Sequence, residues 1–336
     1  MMINKMGYMG KYIVLVILFY FINISFLSSS INKEGFDKWL IGYKKQALEK
    51  GISQNTIDRV FKNAKFLDNV IKYDRKQPEF FEDTITYVSK RATSSRSTNA
   101  QELLKKNKTL FNKVENEFKV EKEVLLSLWG IETNFGKHVG KMDIISSLAT
   151  LSYDKRRSDF FSSQLLTLLK LVDKSLINPN TLYGSWAGAY GNFQFMPSTI
   201  ELYAIDYDND NKIQLKKSLN DSLASAANYI NKIGWKKGEP CFYRVKVNKA
   251  IKDKYINISA RKISYKLKMS KWKKKGVVRF DGLELPKNYK AALIMPDGKP
   301  ETPLYLVFDN YEKILKWNRS LRFGISICTL ADMIKI

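Results

Sequence analysis

Glu132 is the residue whose setting in the sequence most favours chemistry. It follows an apolar run from Val124 to Ile131, and Gly136 comes four residues after it. The run predicts a buried helix that delivers one carboxylate at its end. Apolar surroundings disfavour the charged form of a carboxyl group, so such a group can act as a general acid toward a glycosidic oxygen. The alternative is a helix-end glutamate that faces water.

The composition excludes several other kinds of active site. The chain has 336 residues but one histidine, His138, and two cysteines, Cys241 and Cys328. These cannot build a structural zinc site or a histidine-rich metal centre, and a Ser-His-Asp triad would have to use His138. Carboxylates are therefore the expected proton carriers. The two cysteines either form a disulfide or stay as two separate buried thiols.

The first thirty residues have the pattern of an export signal. Lys5 and Lys11 precede an apolar run from Tyr12 to Phe26, and the small residues Ser28 and Ser30 follow it. The run falls short of the roughly 20 residues that a spanning helix needs, and an uncleaved inner-membrane anchor is the alternative. The rest of the chain is expected to work outside the cytoplasm. This disfavours nucleic acid as the partner of a chain whose formal net charge is +24.

The remaining chain divides into helical and sheet-forming stretches. Apolar residues recur at helical spacing on both sides of a stretch of short alternating runs separated by Asp-Gly and Pro-Asp-Gly turns. The predicted fold class is α+β, mainly α, with a small antiparallel β insertion. The predicted parts are the export signal at 1–30, an N-terminal helical domain at 31–112, a helical core at 113–238, a β domain at 239–308 and C-terminal helices at 309–336 that return to the core.

Two local predictions concern the N-terminal helices. Pro78 favours the first turn of a helix that begins within Gln77 to Phe81. Serine and threonine residues fill Thr93 to Asn99, so this segment is predicted to be a loop.

Further motifs occur in a fixed order along the chain. They are Gln77 to Phe80, Leu148 to Arg157, Gly184 to Ser198, Ala224 to Tyr229 and Trp317 to Ser320. Together with the Glu132 segment, they resemble the lytic murein transglycosylase B family, whose core is lysozyme-like, although Trp317 stands where that family usually has tyrosine. The resemblance covers nearly all of the chain after the export signal. It implies a peptidoglycan-cleaving enzyme that needs no cofactor and acts as a monomer in the periplasm.

The resemblance also implies a role for each matching position. Glu132 matches the family's single catalytic glutamate, and Arg156 and Arg157 match an arginine pair that meets the stem peptide of the substrate, since arginine forks suit carboxylates. The positions that match residues lining the sugar sites are Tyr87, Ser185, Gln194, Tyr229 and Asn318. For Tyr229, packing in the core is the alternative.

The implied reaction uses one carboxylate. Glu132 would protonate the oxygen that links N-acetylmuramic acid to N-acetylglucosamine and would then take the proton of the muramoyl 6-hydroxyl, which attacks the anomeric carbon. The product would carry a 1,6-anhydromuramoyl end. The rival hypotheses are a muramidase of the same fold that lets water attack, and a non-catalytic wall-binding protein.

An acidic segment resembles the start of an EF-hand calcium loop. Asp206, Asp208 and Asp210 supply oxygen side chains at its first, third and fifth positions, and the family often has a calcium loop here. Asn211 replaces the turn glycine, and Lys217 stands where the last ligand should be, a role that it cannot fill. The two hypotheses are a weak calcium site completed by another oxygen, and a remnant loop without metal.

Lysines cluster around Trp272 between Ser264 and Gly276. The simpler interpretation is the solvated face of a hairpin. The functional interpretation is electrostatic contact with anionic wall polymer or lipid headgroups. The partners expected from the whole sequence are peptidoglycan glycan strands and their stem peptides.

Overall fold

Helices dominate the structure, a computed structural model that describes residues 32–76 and 82–335. The predicted export segment and the helix start within Gln77 to Phe81 lie outside these residues. None of the described helices combines the length and the apolar character needed to cross a membrane.

Six helices form the N-terminal part of the described chain, and side chains cap most of their starts. They are α1 (Lys33–Glu49), α2 (Gln54–Phe61), α3 (Asp68–Arg75), α4 (Thr84–Arg91), α5 (Ser94–Lys106) and α6 (Lys108–Phe118). Asn32, Ser53, Asp83 and Thr93 each accept a hydrogen bond from a backbone N–H of the first turn, which satisfies a donor that the helix leaves unpaired.

The predicted loop from Thr93 to Asn99 is wrong, because this segment begins α5. The Thr93 hydroxyl accepts from the N–H of Arg96 at 3.1 Å, and the helix then buries Ser97. Ser97 Oγ donates to the carbonyl of Met333 at 2.7 Å. The cap and the burial of this face therefore outweigh the weak helix preference of serine and threonine.

Helix α7 (Lys122–Thr133) is the centre of the helical core. Its residues from Val124 to Gly130 are all buried, as in a helix that is surrounded by others. The other core elements are α8 (Ile144–Tyr153), α9 (Ser158–Asp173), α10 (Pro197–Tyr203), α11 (Leu219–Lys232) and two short strands, β1 (Met142–Asp143) and β2 (Tyr183–Gly184), which pair antiparallel.

The β insertion forms one sheet. Its strands are β3 (Phe242–Val247), β4 (Ile256–Asn257), β5 (Leu267–Lys268), β6 (Val277–Arg279), β7 (Lys290–Ile294) and β8 (Leu304–Val307). Their order is β4-β7-β8-β3-β6, and β5 also pairs with β7. Only the β4–β7 pair is parallel among these described strands, so the predicted antiparallel insertion is confirmed with one exception.

The two faces of this sheet pack differently. Tyr305 and Val307 join the main hydrophobic core, whereas the opposite face packs on α12 (Met269–Lys274). Trp272 of α12 is fully buried and donates to the carbonyl of Ala291 at 2.8 Å. The predicted hairpin around Trp272 is therefore wrong, because a short strand runs into a helix that its tryptophan anchors to the sheet. The predicted solvation holds for Lys268, Lys271, Lys273 and Lys274, which are exposed.

The C-terminal helices pack on the helical core. Helix α13 (Asp309–Trp317) follows the sheet, and α14 (Leu321–Ile334) packs against α7. Cys241 and Cys328 form a disulfide with their Cα atoms 6.1 Å apart. This bond ties the segment entering the sheet to α14, and it decides between the two cysteine hypotheses.

Candidate active site

Glu132 lies partly buried in the last turn of α7. The chain leaves the helix through three consecutive residues with positive φ: Asn134 at 49°, Phe135 at 59° and Gly136 at 82°. A Cβ on Gly136 would lie 2.7 Å from Asn192 Oδ1, so both the backbone conformation and the space require glycine there. The turn after Glu132 is therefore fitted closely to the loop that faces it.

Hydrogen bonds fix this turn to Asn192. Thr133 Oγ1 donates to the Asn192 carbonyl at 2.7 Å and accepts from the Gly136 N–H at 3.0 Å. Trp129 Nε1 donates to Asn192 Oδ1 at 3.4 Å, and Asn192 Nδ2 donates to Ser222 Oγ of α11 at 3.2 Å. Because these groups are buried, breaking one bond would leave an unpaired polar atom. They hold the end of α7 in a fixed relation to α11.

The loop between β2 and α10 contains two of the predicted sugar-lining residues. Ser185 Oγ accepts from the N–H groups of Ala187 and Ala189 at 3.2 and 3.0 Å, which leaves its hydroxyl proton to donate. Gln194 has φ of 52°, and its Nε2 donates to the carbonyls of Val139 and Gly191 at 3.2 and 2.9 Å. The atom that Gln194 can offer to a ligand is thus its Oε1.

Trp317, the last residue of α13, contacts Glu132 directly. Its Nε1 donates to Glu132 Oε1 at 2.9 Å. Its ring stacks on Tyr229 of α11 at a centroid distance of 5.1 Å, and Tyr229 stacks in turn on Tyr203 at 4.5 Å. Phe195 meets Trp317 edge-on at 5.3 Å. A layer of aromatic rings therefore supports the carboxylate.

Tyr229 combines a packing role with a polar one. Its hydroxyl donates to the Lys316 carbonyl at 3.1 Å, next to Trp317. Burial, with a smaller contribution from Tyr203, raises the pKa of Tyr229 to about 12, so the hydroxyl keeps its proton at neutral pH. Asn318 follows Trp317 directly as the C-terminal cap residue of α13. The structure thus brings Glu132, Tyr229 and Asn318 to one place.

Tyr87 lies in α4 with its side chain enclosed. It is 2 % exposed, and the guanidinium of Arg91 covers its ring at 3.3 Å from the centroid. Arg91 also donates to the Tyr87 carbonyl at 3.0 Å. The ring is therefore already packed in this structure.

Arg156 and Arg157 share one buried carboxylate. Arg156 Nη1 donates to Asp74 Oδ2 at 2.9 Å, and Arg157 pairs with the other oxygen of Asp74, whose side chain is 1 % exposed. The side chains of Arg156 and Arg157 remain 41 % and 37 % exposed. One carboxylate cannot neutralise two arginines, so this surface keeps a positive charge that suits an anionic group.

The acidic loop between α10 and α11 brings Asp206, Asp208 and Asp210 together, with carboxylate oxygens within 4.8 Å of one another. Asp206 accepts from the N–H of Asn211 at 2.8 Å, and Asn211 adopts φ of 63°, as the glycine of a calcium loop would. Three converging carboxylates and this turn fit a hard cation such as calcium. Lys217 contributes no ligand, so the protein supplies an incomplete set.

Asp221 stabilises this loop through hydrogen bonds to its backbone. It is fully buried at the start of α11 and accepts from the N–H groups of Tyr207 and Gln214 at 2.9 and 2.8 Å. Burial, followed by the charges of Asp208 and Asp206, raises its pKa. Asp221 thus holds both ends of the acidic loop.

The chain is similar to known proteins in both sequence and structure. Residues 35–332 match the sequence model of the family described as Transglycosylase SLT domain. The chain belongs to this transglycosylase family. The match confirms the resemblance that the motifs indicated and the lysozyme-like α+β fold class.

Individual members of the transglycosylase family are similar over different lengths. The membrane-bound lytic murein transglycosylase B of Escherichia coli K12 is 32% identical over 218 residues, which are 64% of this chain and 57% of that protein. The chain thus matches a little over half of this relative's length.

Two solved transglycosylase structures are similar over most of the chain. SltB3 of Pseudomonas aeruginosa, in complex with NAG-NAM-pentapeptide, has a TM-score of 0.81 and 32% identity, covering 89% of this chain and 79% of SltB3. Slt35 of Escherichia coli, in complex with calcium, has a TM-score of 0.73 and 25% identity, covering 90% and 93%.

Sequence reasoning did not find every residue that shapes these sites. It noted Trp317 as part of a motif but gave it no contact with Glu132. It gave no role to Asp74, Asn192 or Asp221. A buried aspartate or asparagine has no local pattern that separates it from an exposed one, and only the exposed neighbours of Asp221 in the acidic loop gave a hint.

Proposed function

We propose that this protein is a peptidoglycan lytic transglycosylase that cleaves glycan strands between N-acetylmuramic acid and N-acetylglucosamine. Family membership and relatives named as lytic murein transglycosylases support this activity. The observation that carries it is the setting of Glu132, a partly buried carboxylate at the end of an apolar helix that accepts a hydrogen bond from Trp317. This is the setting that a carboxyl group needs for proton transfer.

The proposed reaction passes one proton out of Glu132 and one back. Protonated Glu132 donates to the glycosidic oxygen, the bond to the anomeric carbon breaks, and the N-acetylglucosamine side leaves with a free hydroxyl. The substrate's 2-acetamido group stabilises the cationic centre. Ionised Glu132 then takes the proton of the muramoyl 6-hydroxyl, whose oxygen closes the 1,6-anhydro ring. The nucleophile belongs to the substrate, so no second carboxylate is required.

The other predicted site residues would orient the strand. The hydroxyl of Ser185, Oε1 of Gln194 and the amide of Asn318 suit sugar hydroxyl and acetamido groups. Tyr229 would complete the sugar sites, and Tyr87 would reach a sugar only once Arg91 leaves its ring. Arg156 and Arg157 keep enough positive charge to meet the carboxylates of a stem peptide. SltB3 was solved with a glycan carrying such a pentapeptide, which supports this class of substrate.

The proposal extends to location and to calcium. Export to the periplasm by residues 1–30 agrees with a wall polymer as substrate. Slt35 binds calcium, and here Asp206, Asp208 and Asp210 would hold the ion. Bound calcium would neutralise these carboxylates and stiffen the loop between α10 and α11, which is a structural contribution.

Product analysis tests the activity. Purified protein is incubated with isolated sacculi, and the released muropeptides are weighed by mass spectrometry. Anhydro ends are expected, whereas products heavier by one water would indicate the muramidase. Binding to sacculi without release of either product would indicate the wall-binding protein. The Glu132→Gln variant, which keeps the size of the side chain, is the matched control, and its release of muropeptides should be about a thousandfold lower.

A further inference from the structure

We infer that Trp317 is a positioning residue that holds the carboxyl group of Glu132 in place and favours loss of its proton. The inference rests on the proposed function of Glu132. Trp317 Nε1 lies 2.9 Å from Glu132 Oε1. The two residues belong to α13 and α7 and are 185 positions apart in the chain. The indole N–H of tryptophan is a hydrogen-bond donor that cannot accept.

The donor-only character of the indole has a direct consequence for Glu132. The indole N–H stabilises Glu132 more strongly after the carboxyl group has lost its exchangeable proton. When that proton leaves, the contact becomes a charge-assisted hydrogen bond and strengthens. Trp317 therefore makes Glu132 a stronger acid toward the glycosidic oxygen and holds its carboxyl group in a fixed position.

The aromatic layer gives the indole N–H a fixed direction. Tyr229 stacks on the Trp317 ring with 26° between the planes, and Phe195 and Phe193 meet it edge-on at 5.3 and 6.3 Å. The Tyr229 hydroxyl also donates to the Lys316 carbonyl, which fixes the backbone beside Trp317. Rotating the Trp317 ring away from Glu132 would break its contacts with Tyr229, Phe195 and Phe193, so the position of the carboxylate depends on the layer as well as on the N–H.

The Trp317→Phe variant removes the N–H and keeps an aromatic ring for Tyr229. Its kcat on solubilised glycan strands should fall about tenfold, the size of one charge-assisted hydrogen bond, while KM changes less than about twofold. Glu132 must start protonated, and loss of the donor makes it hold its proton more strongly. The alkaline limb of the variant's pH–rate profile should therefore move to higher pH. An unmoved profile, or a loss confined to KM, overturns the inference.

A spectroscopic test does not depend on activity. The Trp317→Phe spectrum identifies the ¹⁵N-indole signal of Trp317 among those of the six tryptophans. In the parent protein that signal should titrate with Glu132, and in Glu132→Gln the titration should disappear. A Trp317 signal that does not titrate in the parent overturns the inference even if the variant misfolds. A parent that titrates but releases no anhydro product leaves the contact in place and refutes the proposed function instead.

Discussion

Two acidic regions of the molecule use the same kind of side chain in opposite surroundings. At the end of α7, Glu132 meets an indole N–H within a layer of aromatic rings. Between α10 and α11, Asp206, Asp208 and Asp210 crowd their oxygens within 4.8 Å of one another on a loop closed by backbone N–H groups. Partial burial among aromatic rings suits proton transfer, whereas crowded carboxylates repel one another until a cation joins them. The two regions differ in the number of neighbouring carboxylates and in the exposure of the site. These differences suit the first region to proton transfer and the second to a cation.

Neutralising one carboxylate in each region should give the largest contrast. Glu132→Gln should lower the release of muropeptides about a thousandfold, because the amide can neither donate the proton nor take it back. Asp208→Asn changes an exposed loop residue in the same way and should keep activity within about twofold. Turbidity loss of sacculi measures both. Equal losses in the two variants would contradict the separation of roles.

The sequence predicts the local part of each region and misses the long-range part. The apolar run predicts α7 and the carboxylate at its end, and the spacing of the three aspartates predicts their convergence. The contact between Trp317 and Glu132 joins two helices far apart in the chain, and no local periodicity encodes which helices meet. The same limit hid Asp74 beneath the arginine pair.

The misread segments have a related cause. Thr93 to Asn99 looked like a loop by composition, but Ser97 gains a partner in the carbonyl of Met333 from the other end of the chain. The lysine-rich segment looked like a hairpin, but it forms a helix whose Trp272 is fully buried against the sheet. In both cases burial against distant parts of the chain outweighed the weak local preference of the segment.

The next largest expected effect is on the free energy of unfolding and concerns Asp221. This residue stabilises the acidic loop but is not one of its three converging aspartates. Asp221→Ala removes a buried carboxylate that accepts from two backbone N–H groups, and those groups then lack partners. The free energy of unfolding should fall by about 3 kcal/mol. Asp210→Ala, at an exposed position of the same loop, is the control and should cost less than about 1 kcal/mol. Denaturant titration compares them, and equal losses would show that Asp221 is not the anchor.

A smaller effect is expected from the turn after Glu132, which tests whether the hydrogen bonds of that turn hold Glu132 in position. Thr133→Val keeps the shape of the side chain but removes the hydroxyl that donates to the Asn192 carbonyl. The protein should lose about 1–2 kcal/mol of stability. Its kcat should also fall several-fold, because the next residue along from Glu132 loses its anchor. Thr329→Val, in α14, is the matched control. A variant that loses stability at full kcat would show that the turn does not position Glu132.

Calcium should give the smallest effect, because Lys217 leaves the ligand set incomplete. Calcium that binds only the folded protein raises the melting temperature, and a weak site at about 10 mM calcium should give a rise of about 2 °C, reversed by a chelator. Magnesium at the same concentration should do less, since its smaller coordination sphere tolerates an irregular site poorly. The double variant Asp208→Asn, Asp210→Asn should abolish the calcium response. No rise in the parent protein would identify the loop as a remnant, held closed by Asp221 and its own N–H groups alone.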